Sequence, residues 1–191
     1  MTSTPIPQQT ARPTRADARR NYDLLVTAAR EAFAEHGTDA SLEEIARRAG
    51  VGIGTLYRRF PNRTALLEAV YVDEIQSVCD RAYGFAEKLE PFDALAAWLR
   101  SFVDYSLSKK SLAGELTVAL GKDSEFFTAC KLNVREAGEL LLNAAKAEGS
   151  VRPDLELMDI LRLVGGITMG REMDADQANR LLDIVLAGLR A

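Results

Sequence analysis

Histidine and cysteine are the scarcest chemically versatile residues of this chain. Its 191 residues include one histidine, His36, and two cysteines, Cys79 and Cys130, 51 positions apart. That set makes neither a zinc site nor a disulfide framework, and it suits a reducing cytosol. With one imidazole, no paired Ser/His/Asp pattern, no P-loop and no metal spacing, the chain has little from which to build an enzyme. No catalytic residue, metal or cofactor is expected. No run of about 18 apolar residues exists, and no charged segment leads into an apolar one, so neither a membrane span nor a signal peptide is expected. Val and Ile are scattered without an alternating run, which argues against strands. Only six prolines interrupt the chain, three of them within residues 1–14.

What remains is helical. Hydrophobic residues make up 47% of the chain and recur at helical spacing almost throughout after Gln9. The expected fold class is all-α. The net charge of −4 is unevenly spread. Residues 1–63 contain no lysine, and their ten arginines face seven acids, a net of +3; residues 64–191 have fourteen bases and twenty-one acids, a net of −7. A basic N-terminal unit on an acidic body fits nucleic-acid binding at one end, and arginine suits bidentate contacts to phosphate and guanine. Arg-rich helix faces that are merely solvated are the plainer reading.

Residues 1–14 (MTSTPIPQQTARPT) have no periodicity and read as a disordered arm. A helix is expected from Arg15 to His36, stopped by His36 and Gly37. Ser41 and Glu44 form a capping box that opens a second helix, with Leu42, Ile45, Ala46 and Ala49 inward. Gly50 breaks it and Val51 plugs the core below the turn. A third helix spans Ile53 to Phe60, held by Leu56 and Phe60 and stopped by Pro61. Asn62 caps the next helix, which runs from Arg63 to Phe85. Further helices are expected over Pro91–Leu107, Leu112–Leu120, Ser124–Glu148, Asp154–Met169 and Asp174–Leu189, with breaks at Gly121, Gly149–Pro153 and Gly170.

The stretch Ser41–Arg63 (SLEEIARRAGVGIGTLYRRFPNR) carries the function. Two short helices joined by a Gly turn can place the second in the major groove. Gly52 and Gly54 let the backbone approach phosphates. Thr55 can bond a phosphate or touch a thymine methyl, Tyr57 can bond a phosphate, and Arg58 and Arg59 can bond guanine or phosphate. A cation at a helix N-terminus is unfavourable, so Arg63 calls for a phosphate partner. Ile53 fits either an inward stripe with Leu56 and Phe60 or an apolar base contact. Tyr57 fits equally well as a cover for the first helix.

Residues 20–66, above all SLEEIARRAGVGIGTLYRRFPNRTALL, resemble the DNA-binding domain of the TetR family of transcriptional regulators. The segments AAWLRSFVDY (96–105) and LRLVGGI (161–167) are similar to its SbtR-like branch. The resemblance implies a DNA-binding domain over 15–62, a helical regulatory and dimerisation domain over 63–191, and a cytoplasmic homodimeric repressor of a palindromic operator. It places Gly52, Ile53, Gly54, Thr55, Tyr57, Arg58 and Arg59 at the DNA, with Ser41 and Arg63 on phosphates. The polar residue frequent in relatives at the Ile53 position is missing.

Two apolar helices after Pro153 would form a dimer face with Leu161, Val164, Gly165, Leu182, Val185 and Leu186, or else close the monomer core. Trp98, Phe102, Tyr105, Phe126, Phe127, Cys130 and Met169 are candidates to line a pocket for a small, largely apolar effector, though Trp98 and Phe102 at i and i+4 also suit plain core. Nothing beside Cys130 argues for a reactive thiolate. The alternative is a DNA-binding dimer with no small-molecule effector.

Overall fold

The structure, a computed structural model, describes residues 4–108, 110–169 and 173–191. The expected break at Gly170 lies outside the described residues. Nine α-helices are found among them: α1 (Ala16–His36), α2 (Leu42–Arg48), α3 (Ile53–Arg59), α4 (Arg63–Ala86), α5 (Pro91–Ser108), α6 (Lys110–Leu120), α7 (Glu125–Glu148), α8 (Leu157–Thr168) and α9 (Ala175–Leu189). A single 3-10 turn, Gly37–Asp39, follows α1.

The boundaries follow local chemistry. Gly37 ends α1 at φ 59°, where a side chain would be strained. Ser41 Oγ accepts the Glu44 N–H at 3.1 Å and caps α2. Only half of the expected capping box is built. Glu44 turns its carboxylate to Arg48 at 2.6 and 2.9 Å, because a charge-assisted bond is stronger than one to a backbone N–H. Asn62 Oδ1 accepts the Ala65 N–H at 2.8 Å and caps α4, and Asp174 does the same for α9 through Gln177 at 2.6 Å.

The chain divides into two compact units, and the division does not fall at residue 63. One unit, the head, takes in Pro5–Glu74 and Lys110–Cys130; the other, the body, takes in Ile75–Lys109 and Lys131–Ala191. In the head, the apolar faces of α1, α2 and α3 meet over Leu25, Ala29, Ile45, Leu56 and Phe60, all fully buried. Residues 65–70 of α4 are buried on every side rather than along one stripe, which is the pattern of an enclosed helix.

The body packs α5 against α8 and α9, which also pack on each other. Its largest buried side chain is Trp98, whose Nε1–H donates to the Val78 carbonyl at 3.0 Å. Gly138 on α7 makes room for it: a Cβ there would lie 2.5 Å from the indole ring and 2.8 Å from Leu157. Among the described residues no helix is long and apolar enough to cross a membrane.

Candidate nucleic-acid interface

The turn between α2 and α3 is built by two backbone bonds. The Gly50 N–H donates to Arg47 O at 3.2 Å and the Val51 N–H to Ala46 O at 3.0 Å, with Gly50 at φ 67°. This doubly bonded glycine stop fixes the angle at which the chain leaves α2. Gly52 caps α3, which has seven residues. A helix that short is not stable alone; Leu56 and Phe60, both 0% exposed, anchor it.

Anchoring through i and i+4 turns the opposite side outward. Gly52, Ile53, Gly54, Tyr57 and Arg58 form a continuous exposed row, with nothing near the glycine Cβ positions. Ile53 is 39% exposed and Tyr57 46%. Ile53 does not join the inward stripe, and Tyr57 leaves about half of its side chain in solvent. Arg58 donates to Thr55 Oγ1 at 3.0 Å, which holds its guanidinium along the exposed face. Ser41 is exposed, and its hydroxyl keeps a proton to donate while its oxygen caps α2.

Two expected contacts are placed differently. Arg59 faces inward: its guanidinium lies 5.1 Å from the Tyr22 ring centre and donates to the Ala11 carbonyl. Residue 59 is i+3 from buried Leu56, so the helix period itself carries it to the α1 side. Burial pushes the Tyr22 phenol up, and Arg59 partly opposes that shift. Arg63 donates to the Ala40 carbonyl at 2.7 Å and to Glu115 at 3.2 Å, and it stacks 5.2 Å from the Phe33 ring centre. These protein partners offset the unfavourable helix end without a phosphate.

Residues 5–14 have no helix, yet they are not loose. Gln9 bonds Glu68 and Asn62, and Arg12 forms a bidentate pair with Asp23. Nothing in the composition of the arm signals this, because the partners are scattered along α1 and α4.

The expected pocket residues fall into separate groups. In the body, Trp98, Phe102 and Tyr105 form a ladder with ring centres 5.9 and 6.0 Å apart. In the head, Phe126 and Phe127 pack on Tyr71 at 5.7 and 5.6 Å. Cys130 is buried, and Met169 is 81% exposed, so Met169 walls no enclosed cavity of this chain. A different concavity of about 680 Å³ lies between α1 and α2, lined by Arg19, Arg20, Asp23, Glu31 and Arg48 among others. Its charged lining does not match the apolar site expected.

The expected dimer residues also divide. Val164, Leu182 and Leu186 are buried against the body's own core, whereas Leu163 is 59% exposed and Ile184 69%. The period of α8 and α9 could have pointed to these two, but both helices are apolar on more than one face, and periodicity alone does not say which face is taken.

A short helix pinned on one side, presenting glycines, a tyrosine and an arginine on the other after a glycine-stopped partner helix, defines a helix-turn-helix DNA-binding protein. Residues 25–70 match the family "Bacterial regulatory proteins, tetR family", and residues 90–191 match "Transcriptional regulator SbtR-like, C-terminal domain". The chain belongs to the TetR family of transcriptional regulators. It is 41% identical to a TetR transcriptional regulator from Streptomyces coelicolor, with a TM-score of 0.77 over 88% of this chain and 98% of that one. It is 31% identical to a TetR transcription regulatory protein from Mycobacterium vanbaalenii, with a TM-score of 0.72 over 94% and 100%. The HTH-type transcriptional regulator UidR of Escherichia coli is 24% identical over 92% of each chain.

Proposed function

We propose that this DNA-binding regulator is a homodimeric repressor that reads a palindromic operator with α3 of each subunit. The exposed row Gly52, Ile53, Gly54, Tyr57 and Arg58 on a helix anchored by Leu56 and Phe60 carries this reading. The two glycines let backbone approach phosphates, Tyr57 donates to one, Arg58 bonds phosphate or guanine, and Ile53 meets a thymine methyl. Ser41 adds a phosphate contact from the start of α2. A palindrome requires two recognition helices about 34–36 Å apart, hence a dimer. The exposed Leu163 and Ile184, beside Gly166 and Gly188, are the apolar surface we assign to it.

Release by a small, largely apolar effector completes the proposal. Its support is the α5 ladder, where Phe102 and Tyr105 are only partly covered. DNA selects one spacing of the two recognition helices and the effector another. An effector that prefers the second by about tenfold weakens operator binding about tenfold, ~1.4 kcal/mol. The full burial of Trp98 and near-full burial of Phe126 favour a second reading, a DNA-binding dimer without an effector.

Genome-wide footprinting with the purified protein, followed by mobility shifts on the recovered sites, tests the DNA reading. Tyr57→Phe and Arg58→Ala should both weaken binding, and Arg58→Ala should lower the salt slope by about one. Unchanged shifts for both variants would sink it. A thermal-shift screen with apolar ligands separates the two effector readings, since only the first expects a ligand that both stabilises the protein and releases DNA.

A further inference from the structure

Glu68 lies in the first half of α4 and is 3% exposed. A carboxyl at that depth needs hydrogen-bond partners. One residue, distant in sequence, serves both of its oxygens: Gln9 donates its backbone N–H to Oε2 at 2.7 Å and its Nε2 to Oε1 at 3.1 Å. The Gln9 carbonyl oxygen Oε1 accepts from Asn62 Nδ2 at 3.0 Å, and Asn62 is itself the cap of α4. Two residues further on, the Ala11 carbonyl accepts from Arg59, the last residue of α3. Arg12 then pairs with Asp23 on α1 at 2.7 Å. Residues 9–12 therefore reach α1, the end of α3, the α3–α4 turn and the buried carboxyl of α4.

We propose that residues 9–12 are a clamp that positions the recognition helix, with Gln9 and Glu68 as positioning residues for DNA binding. The proposal rests on α3 being the DNA-reading helix. Seven helical residues have too few internal bonds to hold themselves. Leu56 and Phe60 fix the depth of α3 through apolar contacts alone, which set its orientation less sharply than directional hydrogen bonds do. The bonds from Ala11 to Arg59 and from Gln9 to Asn62 restrain its C-terminal end on both sides of Pro61. Release of Gln9 takes both of its donors from the Glu68 carboxyl, which favours the closed clamp.

The test uses the full-length protein and a duplex that the wild type selects from a random-sequence pool. Gln9 is exposed, so Gln9→Ala and Gln9→Glu leave the core intact; the second sets a carboxylate against Glu68 and expels the arm. Gln9→Ala should weaken duplex binding about tenfold, ~1.4 kcal/mol, and Gln9→Glu more. The salt slope should stay constant, because no phosphate contact is removed. In the free protein, α3 amides should exchange faster while those of α8 and α9 keep their rates. Unchanged α3 exchange in both variants overturns the clamp, as does faster exchange in every helix. A reduced salt slope overturns it too, in favour of direct phosphate contact by the arm. If the wild type selects no duplex, the DNA reading fails by itself, and α3 exchange still decides on the clamp.

Discussion

Arg58 and Arg59 are neighbours in sequence that point to different sides of α3. A helix turns about 100° per residue, which is enough to send Arg58 along the exposed face and Arg59 onto the Tyr22 ring. Arg59→Ala should therefore lower thermal stability, by roughly 0.5–1 kcal/mol for the lost stack, and leave the salt slope of DNA binding unchanged. Unfolding melts and salt titrations of the purified variant check both outcomes. Cys79 makes a second residue-level point. Burial, with smaller contributions from Asp80 and Glu136, pushes its thiol up to about 11 from 9.0. A thiol raised on folding contributes stability fully below the unfolded value and loses it as pH rises through the folded one. Near neutral pH, Cys79 should resist iodoacetamide until the chain unfolds, which mass spectrometry of alkylated protein would register.

Elements are placed here by a few obligatory contacts. The α2–α3 turn is set by Gly50 and Val51, and the entry to α4 by Asn62, so the helix-turn-helix is mostly a product of local bonds. The contact of α5 with α7 is different, since it depends on the missing side chain of Gly138 beneath Trp98. Gly138→Ala should overpack this site and cost about 1–3 kcal/mol in denaturant unfolding. The reverse change, Trp98→Ala, opens a cavity in a body core where the ring is 0% exposed. A cost of about 3–5 kcal/mol makes that variant a poor probe of effector response, and Phe102→Ala is the better choice. The first turn of α4 shows how a cation is tolerated at an unfavourable end: Arg63 has Ala40, Glu115 and Phe33 around it.

At the scale of the whole molecule, the proposed palindromic operator calls for a second copy. The exposed Leu163 and Ile184 lie on α8 and α9, and the buried Val164, Leu182 and Leu186 on the same helices already serve the body core. Leu163→Asp combined with Ile184→Asp should yield a monomer in sedimentation, with an unchanged helical signal and affinity reduced to that of a single half-site. Val164→Asp should instead unfold the body, because it buries an unpaired charge.

Within residues 15–86, the order of helices, their stops and the helix-turn-helix were legible from the sequence alone. Capping, glycine turns and helical periodicity act over three to five residues, and a linear reading captures them. Three matters were not legible, and each depends on partners far apart in the chain. Arg63 and Arg59 find protein partners at Glu115 and Ala11. The arm is tied by Gln9 to Glu68, 59 positions away. The apolar faces of α8 and α9 divide into core and free surface only once α5 has packed against them. Sequence by itself determined where the helix-turn-helix lies and which polar side chains it carries; tertiary packing decided which of those side chains are exposed and which are engaged within the fold, because partners far apart in the chain meet only once the helices have packed.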